Sequence, residues 1–91
     1  MEFRFNTNYS ENELAFLNEH HGEILSKINL SKTDFTEYEI PRRMFRYYGT
    51  LVVEIIDDET GDLIWAVLSK HKGVWHVSSC YDSLKSLEQG L

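Results

Sequence analysis

Ninety-one residues suffice for one hydrophobic core and not for two, so residues 1–91 read as a single domain. With 42% apolar and 13% aromatic residues, the chain is too rich in core formers to be disordered. A net charge of −6 disfavours direct binding to a nucleic-acid backbone or an anionic membrane.

The longest apolar run, Leu51-Val52-Val53, ends at Glu54, far short of the roughly 20 residues of a membrane helix. Met1-Glu2-Phe3-Arg4-Phe5 has no apolar core of a secretory signal, and the single cysteine, Cys80, cannot form an internal disulfide. Both features fit a cytoplasmic protein. Residues 2–5 read as a weak first strand.

The first strong element is a helix. Ser10 and Glu13 are spaced as a capping box, and Tyr9 and Leu14 as a hydrophobic staple. Leu14, Leu17, His21, Ile24, Leu25 and Ile28 then keep helical spacing, which predicts one long helix over 11–29 with a weak point at Gly22. The competing reading ends a first helix at His21, with Gly22 just beyond it. Thr36, Tyr38 and Ile40 alternate with Glu37 and Glu39, which predicts a strand near 35–40 closed by Pro41. Residues 42–48 suit either a helical turn or the next strand, and Gly49 allows a bend.

Residues 50–57 and 62–69 are rich in β-branched residues and flank Asp58-Glu59-Thr60-Gly61, a hairpin turn with Gly61 left-handed. A second turn at 71–73 leads into 74–79. The strand 62–69 is apolar on both faces, so it needs two covers: the helix, and something else such as a partner or a second subunit. A short helix at 83–89 follows Asp82 and stops at Gly90. The fold class is therefore α+β: an antiparallel sheet (a three-strand meander at 50–57, 62–69 and 74–79 plus a strand near 35–40) packed on one long helix, with a short C-terminal helix.

The order helix, three-strand meander, helix over about residues 11–90 resembles that of double-stranded RNA-binding domains. That family holds phosphates at a lysine-rich start of its last helix. Here the position reads Asp82-Ser83-Leu84-Lys85, so the resemblance stops at topology.

Charge is segregated along the chain. Residues 1–39 carry −5, residues 40–48 carry +3, and residues 49–91 carry −4. The basic island holds Arg42, Arg43 and Arg46 beside Tyr47 and Tyr48. Guanidinium groups bind phosphate or carboxylate bidentately and tyrosines offer stacking faces. A nucleotide or single-stranded nucleic acid is the ligand that such an island would take. Alternatively the arginines pair with Glu37, Glu39 and nearby carboxylates.

The opposite feature is the hairpin tip, with Asp57, Asp58, Glu59 and Asp62 in six residues. Its spacing is not that of a calcium loop. It reads as a solvated turn or as an acidic prong for a basic partner. Glu11, Glu13, Glu19 and Glu23 add carboxylates on the expected helix. His20, His21, His71, His76 and Cys80 lack zinc-ligand spacing, Cys80 reads as a small buried residue, and the five glycines are dispersed, so no cofactor, metal or catalytic residue is expected.

The sequence thus suggests a non-enzymatic, acidic protein-binding module. It would act as an inhibitor, immunity-type or accessory protein by occluding a basic surface. A phage or bacterial antagonist of a nucleic-acid enzyme, of the anti-restriction or anti-CRISPR type, fits the size and charge. The alternative is the anion-binding module built on residues 42–48.

Overall fold

The computed structural model describes residues 2–20, 22–30 and 38–90. Through them the chain runs β1 (Glu2–Arg4), α1 (Glu11–Glu19), β2 (Glu23–Leu25), β3 (Lys27–Asn29), β4 (Glu39–Tyr47), β5 (Thr50–Asp57), β6 (Leu63–His71), β7 (Val74–Tyr81) and α2 (Leu84–Gly90). The main sheet is antiparallel, in the order β2-β4-β5-β6-β7, and β1 and β3 form a separate two-stranded ribbon.

The α+β class holds, but the long helix does not. The capping box forms as expected: Ser10 Oγ accepts from the Glu13 amide and Glu13 Oε1 from the Ser10 amide. The helix then stops at Glu19, with His20 as its C-cap. The chain folds back over the last turn, and the Gly22 amide donates to the Leu17 carbonyl. A Cβ on Gly22 would lie 2.9 Å from that oxygen and 2.8 Å from the Leu17 side chain. This close approach, rather than a left-handed conformation, is what glycine supplies.

Residues 23–29 are extended because extension serves two cores at once. Ile24 pairs with Phe45 and packs under the helices, whereas Leu25 and Ile28 pack on the opposite face. The crossover falls at Ser26, whose carbonyl accepts from the Phe5 amide.

The strand expected near 35–40 is also redrawn. Residues 35–37 lie outside the described residues, Tyr38 sits in a turn, and β4 starts at Glu39 and runs through Pro41 instead of ending there. Proline is tolerated because the register shifts between Pro41 and Arg43, leaving Arg42 as the extra residue of a bulge. Residues 42–47 thus belong to this same strand. Tyr48 and Gly49 form a two-residue turn with φ of 48° and 80°, the primed geometry that matches strand twist.

The meander follows its expected course. β6 and β7 each run two residues further than predicted, and Gly61 has the anticipated positive φ of 76°. Residues 58–61 fill the tip, closed by the hydrogen bond from the Asp57 amide to the Asp62 carbonyl. The last helix is capped by Ser83, whose Oγ accepts from the Ser86 amide, rather than by Asp82. Three strands, β2, β3 and β4, separate α1 from residues 50–81, and the sheet has five strands, which departs from the helix–meander–helix order.

β5 is the doubly covered central strand. Val52, with Phe45, Tyr47 and Val67, packs against Leu17 of α1 and Leu87 of α2. Leu51, Val53 and Ile55, with Met44, Ala66 and Leu68, pack against Phe5 and Leu30. The second cover therefore comes from the N-terminal part of the chain itself. Among the described residues, no helix is long and apolar enough to cross a membrane.

Candidate functional site

Strand register decides which charges meet. The bulge at Arg42 puts Arg42 and Arg43 opposite a single residue, Glu54. Glu54 is buried in the middle of β5. Arg43 grips it bidentately, Nε to Oε1 at 3.1 Å and Nη2 to Oε2 at 2.8 Å, and Arg42 Nη1 reaches the same Oε1 at 3.3 Å. From the helix above, Glu13 closes an ion pair with Arg43 Nη2. Arg43 Nη1 donates to the Asn8 carbonyl at 3.3 Å, and the guanidinium lies 4.6 Å from the Tyr9 ring centre.

The electrostatics follow this geometry. The hydrogen bond from Arg43 holds the Glu13 carboxyl down at about 2. Pairing with Glu13 and then Glu54 pushes Arg43 further above its ordinary value. Burial, more than neighbouring charge, raises the Tyr9 phenol to about 12, and its hydroxyl donates to the Met44 carbonyl at 3.0 Å.

The basic island is therefore not one surface. Arg43 uses four of its five N–H donors inside the protein, on Glu54 twice, Glu13 and Asn8. Arg46 donates to the Gly49 carbonyl at 3.2 Å and lies 3.9 Å from Glu23. Tyr47, 2% exposed, is buried against Phe16 and His20 and offers no open stacking face, whereas Tyr48 is 61% exposed at its turn. The partners are Glu54, Glu13 and Glu23. Of the carboxylates expected to pair with the island, Glu37 lies outside the described residues.

The expected helix carboxylates also separate. Glu11 and Glu19 are exposed on α1, Glu13 turns inward to Arg43, and Glu23 stands on β2 rather than on a helix.

The hairpin tip behaves differently. Its backbone is tied down: the Asp57 amide donates to the Asp62 carbonyl, the Gly61 amide to the Asp57 carbonyl, and the Asp58 amide to the Tyr38 carbonyl. Asp57 Oδ1 accepts from the Glu59 and Thr60 amides. The side chains of Asp58, Glu59 and Asp62 point to solvent.

The sheet brings further acids to this end. Glu39 is the register partner of Asp57, and Asp82 follows the end of β7, lining a shallow depression together with Asp62 and Leu63. Asp57, Asp58, Glu59, Asp62 and Asp82 pair with no cation among the described residues.

An apolar row was not anticipated there. Ile40, Ile56 and Leu63 are successive register partners across three strands, and Ile40 and Leu63 are 47% and 37% exposed. Their signal in the sequence was weak, because each sits in a strand that reads as core.

Between α1 and the sheet lies a half-open cleft of about 190 Å³. Phe16, Leu17, Phe45, Trp65 and Leu84 form its apolar walls, with Arg43 and Glu54 at one side. Cys80 is exposed rather than buried, and partial desolvation together with the charge of Glu39 holds its thiol above the ordinary value. Among the described residues no three His, Cys, Asp or Glu side chains gather where they could hold a metal ion. Comparison with protein-family models, with curated proteins and with solved structures finds no match.

Proposed function

We propose that this chain is a small protein-binding module that occludes a basic surface of its partner through the end of the sheet carrying residues 39–40, 57–63 and 82. One observation carries the reading: the row Ile40–Ile56–Leu63, exposed at Ile40 and Leu63, stands at the same end of the sheet as Asp57, Asp58, Glu59, Asp62 and Asp82. An apolar centre with a polar rim is the anatomy of a protein interface. Uncompensated carboxylates steer a cationic partner toward it. The anchored tip adds preorganisation, because a loop already ordered loses little entropy on binding.

An inhibitory or immunity-type role follows from this chemistry. The phosphate-binding surface of a nucleic-acid enzyme is the kind of basic surface that such a rim would cover, which is why a phage or bacterial antagonist remains the best description.

The test is affinity capture from source lysate by the wild type, by Asp58→Lys/Glu59→Lys and by Ile40→Ser, at low and high salt. The reading expects a stoichiometric protein that high salt releases and that both variants lose. A partner captured equally by all three, or no stoichiometric partner at all, would overturn it.

A further inference from the structure

The cleft beneath α1 is a second site, remote in chemistry from the acidic end. We propose that it binds one planar aromatic ring of benzene-to-indole size, neutral or cationic, as a free small molecule.

Size sets the first limit. An apolar cavity of about 150 Å³ accepts benzene, whereas pockets for drug-sized ligands start near 300 Å³. At about 190 Å³ this cleft holds one ring or a small fused pair.

Its shape has a cause in the fold. The Arg43 guanidinium stands between Glu54 on the sheet and Glu13 on the helix, and so acts as a spacer. Beside it, Phe16 and Leu17 above and Phe45 and Trp65 below leave a gap that none of them fills. Aromatic walls favour an aromatic guest, through stacked or edge-on contacts.

Polarity sets the charge of the guest. Four of the five Arg43 donors are already used. The Glu13 carboxylate, by contrast, has only Ser10 and Arg43 as hydrogen-bond partners among the described residues, and a carboxylate has about four acceptor sites. The Asn12 side chain, at the rim, makes no hydrogen bond among the described residues. Of the charged groups in the lining, two carboxylates, Glu13 and Glu54, face one guanidinium, Arg43, so the lining carries an excess of one negative charge. A ring N–H or an ammonium group matches it, and a carboxylate or phosphate does not.

The test uses the full chain, ¹⁵N-labelled, titrated with indole, tryptamine and indole-3-acetate and followed by amide and indole N–H shifts. A guest of this size binds with a dissociation constant on the order of 1 mM. Saturable shifts are expected at Trp65, Phe16 and Leu17, with Trp75, which packs on the opposite face of the sheet, unmoved. Tryptamine and indole should bind at least several-fold more tightly than indole-3-acetate.

Asn12→Trp, a change at an exposed helix position, should cap the cleft and weaken indole at least tenfold. Asp58→Lys/Glu59→Lys should leave it unchanged, which separates this site from the protein-binding end. Shifts that do not saturate, shifts equal at Trp65 and Trp75, unchanged affinity in Asn12→Trp, or preference for the anionic probe would each overturn the proposal.

Discussion

Two charged regions of this chain use the same residue types to opposite ends. At the middle of the sheet, Glu54 and Glu13 converge on Arg43, with Arg42 adding a second guanidinium to Glu54. At the end of the sheet, five carboxylates share no cation among the described residues. Burial explains the contrast. A buried charge must be paired and hydrogen-bonded, whereas an exposed one is solvated and needs no partner. The first region is thus bound to the fold, and the second is available to something outside it.

The largest expected effect tests the first half of that contrast. Arg43→Ala leaves Glu54 buried with only the half-exposed Arg42 for company, and Glu13 without its partner. Removing one member of a buried pair costs about 3–5 kcal/mol. Against a total of about 5–15 kcal/mol for a domain, that loss removes from about a fifth to all of the stability. Urea denaturation followed by circular dichroism measures it. The double change Arg43→Met/Glu54→Leu removes both charges together and should recover most of the loss, since apolar replacement of a whole buried pair is often neutral. A cost below about 1 kcal/mol for Arg43→Ala would mean that the cluster is solvated and that the two regions do not differ in kind.

That difference was partly legible in the sequence. Ser10 and Glu13 announced the helix start because capping is a local interaction. The hairpin at 57–62 was legible for the same reason. The helix end was not, because Ile24, Leu25 and Ile28 fit helical spacing and also serve an extended segment that feeds two cores. The tertiary contact of Gly22 with Leu17 chose between them.

Glu54 was the missed residue at the centre of the site. Its signal was present: an acid within Leu51-Val52-Val53-Glu54-Ile55-Ile56 interrupts an apolar run and must find a cation if that strand is central. Which arginine it finds depends on a bulge that no local pattern announces. The apolar row Ile40–Ile56–Leu63 was hidden too, since exposure depends on where the helices stop covering the sheet.

A second, smaller effect concerns the helix side of the cluster. The folded Glu13 carboxyl titrates at about 2, below its ordinary value of 4.5, chiefly through the Arg43 hydrogen bond. A depressed carboxyl stabilises the fold fully above the unfolded value. That contribution is lost as pH falls from about 4.5 toward about 2. Glu13→Gln removes the titrating charge while keeping the shape. The thermal midpoint of the variant should therefore fall less steeply than that of the wild type across that window. Because the Glu13 side chain is partly exposed, the cost at neutral pH should be clearly smaller than that of Arg43→Ala. Parallel curves for the two proteins would show that Glu13 does not tie α1 to the sheet.

The smallest effect is expected at the acidic end, and it tests the other half of the contrast. Asp58 and Glu59 are exposed and contribute no side-chain hydrogen bond or ion pair among the described residues. Asp57 differs, because its Oδ1 orders the loop. Neutralising only the first two, as Asp58→Asn/Glu59→Gln, removes mutual repulsion and takes nothing from the fold. Stability should stay within about 0.5 kcal/mol of the wild type. Any change should be a gain at low ionic strength that fades as salt screens the remaining carboxylates. Asp57→Ala, which frees the Glu59 and Thr60 amides, should cost more than the double variant. Denaturation at two salt concentrations separates these outcomes. A loss above about 1 kcal/mol from the double variant would mean that the tip carboxylates hold the hairpin together, and their exposure would then no longer argue for a partner. Near-zero or positive change keeps the argument intact: repelling charges held on an anchored loop beside an exposed apolar row do nothing for folding and suit a cationic surface brought from outside.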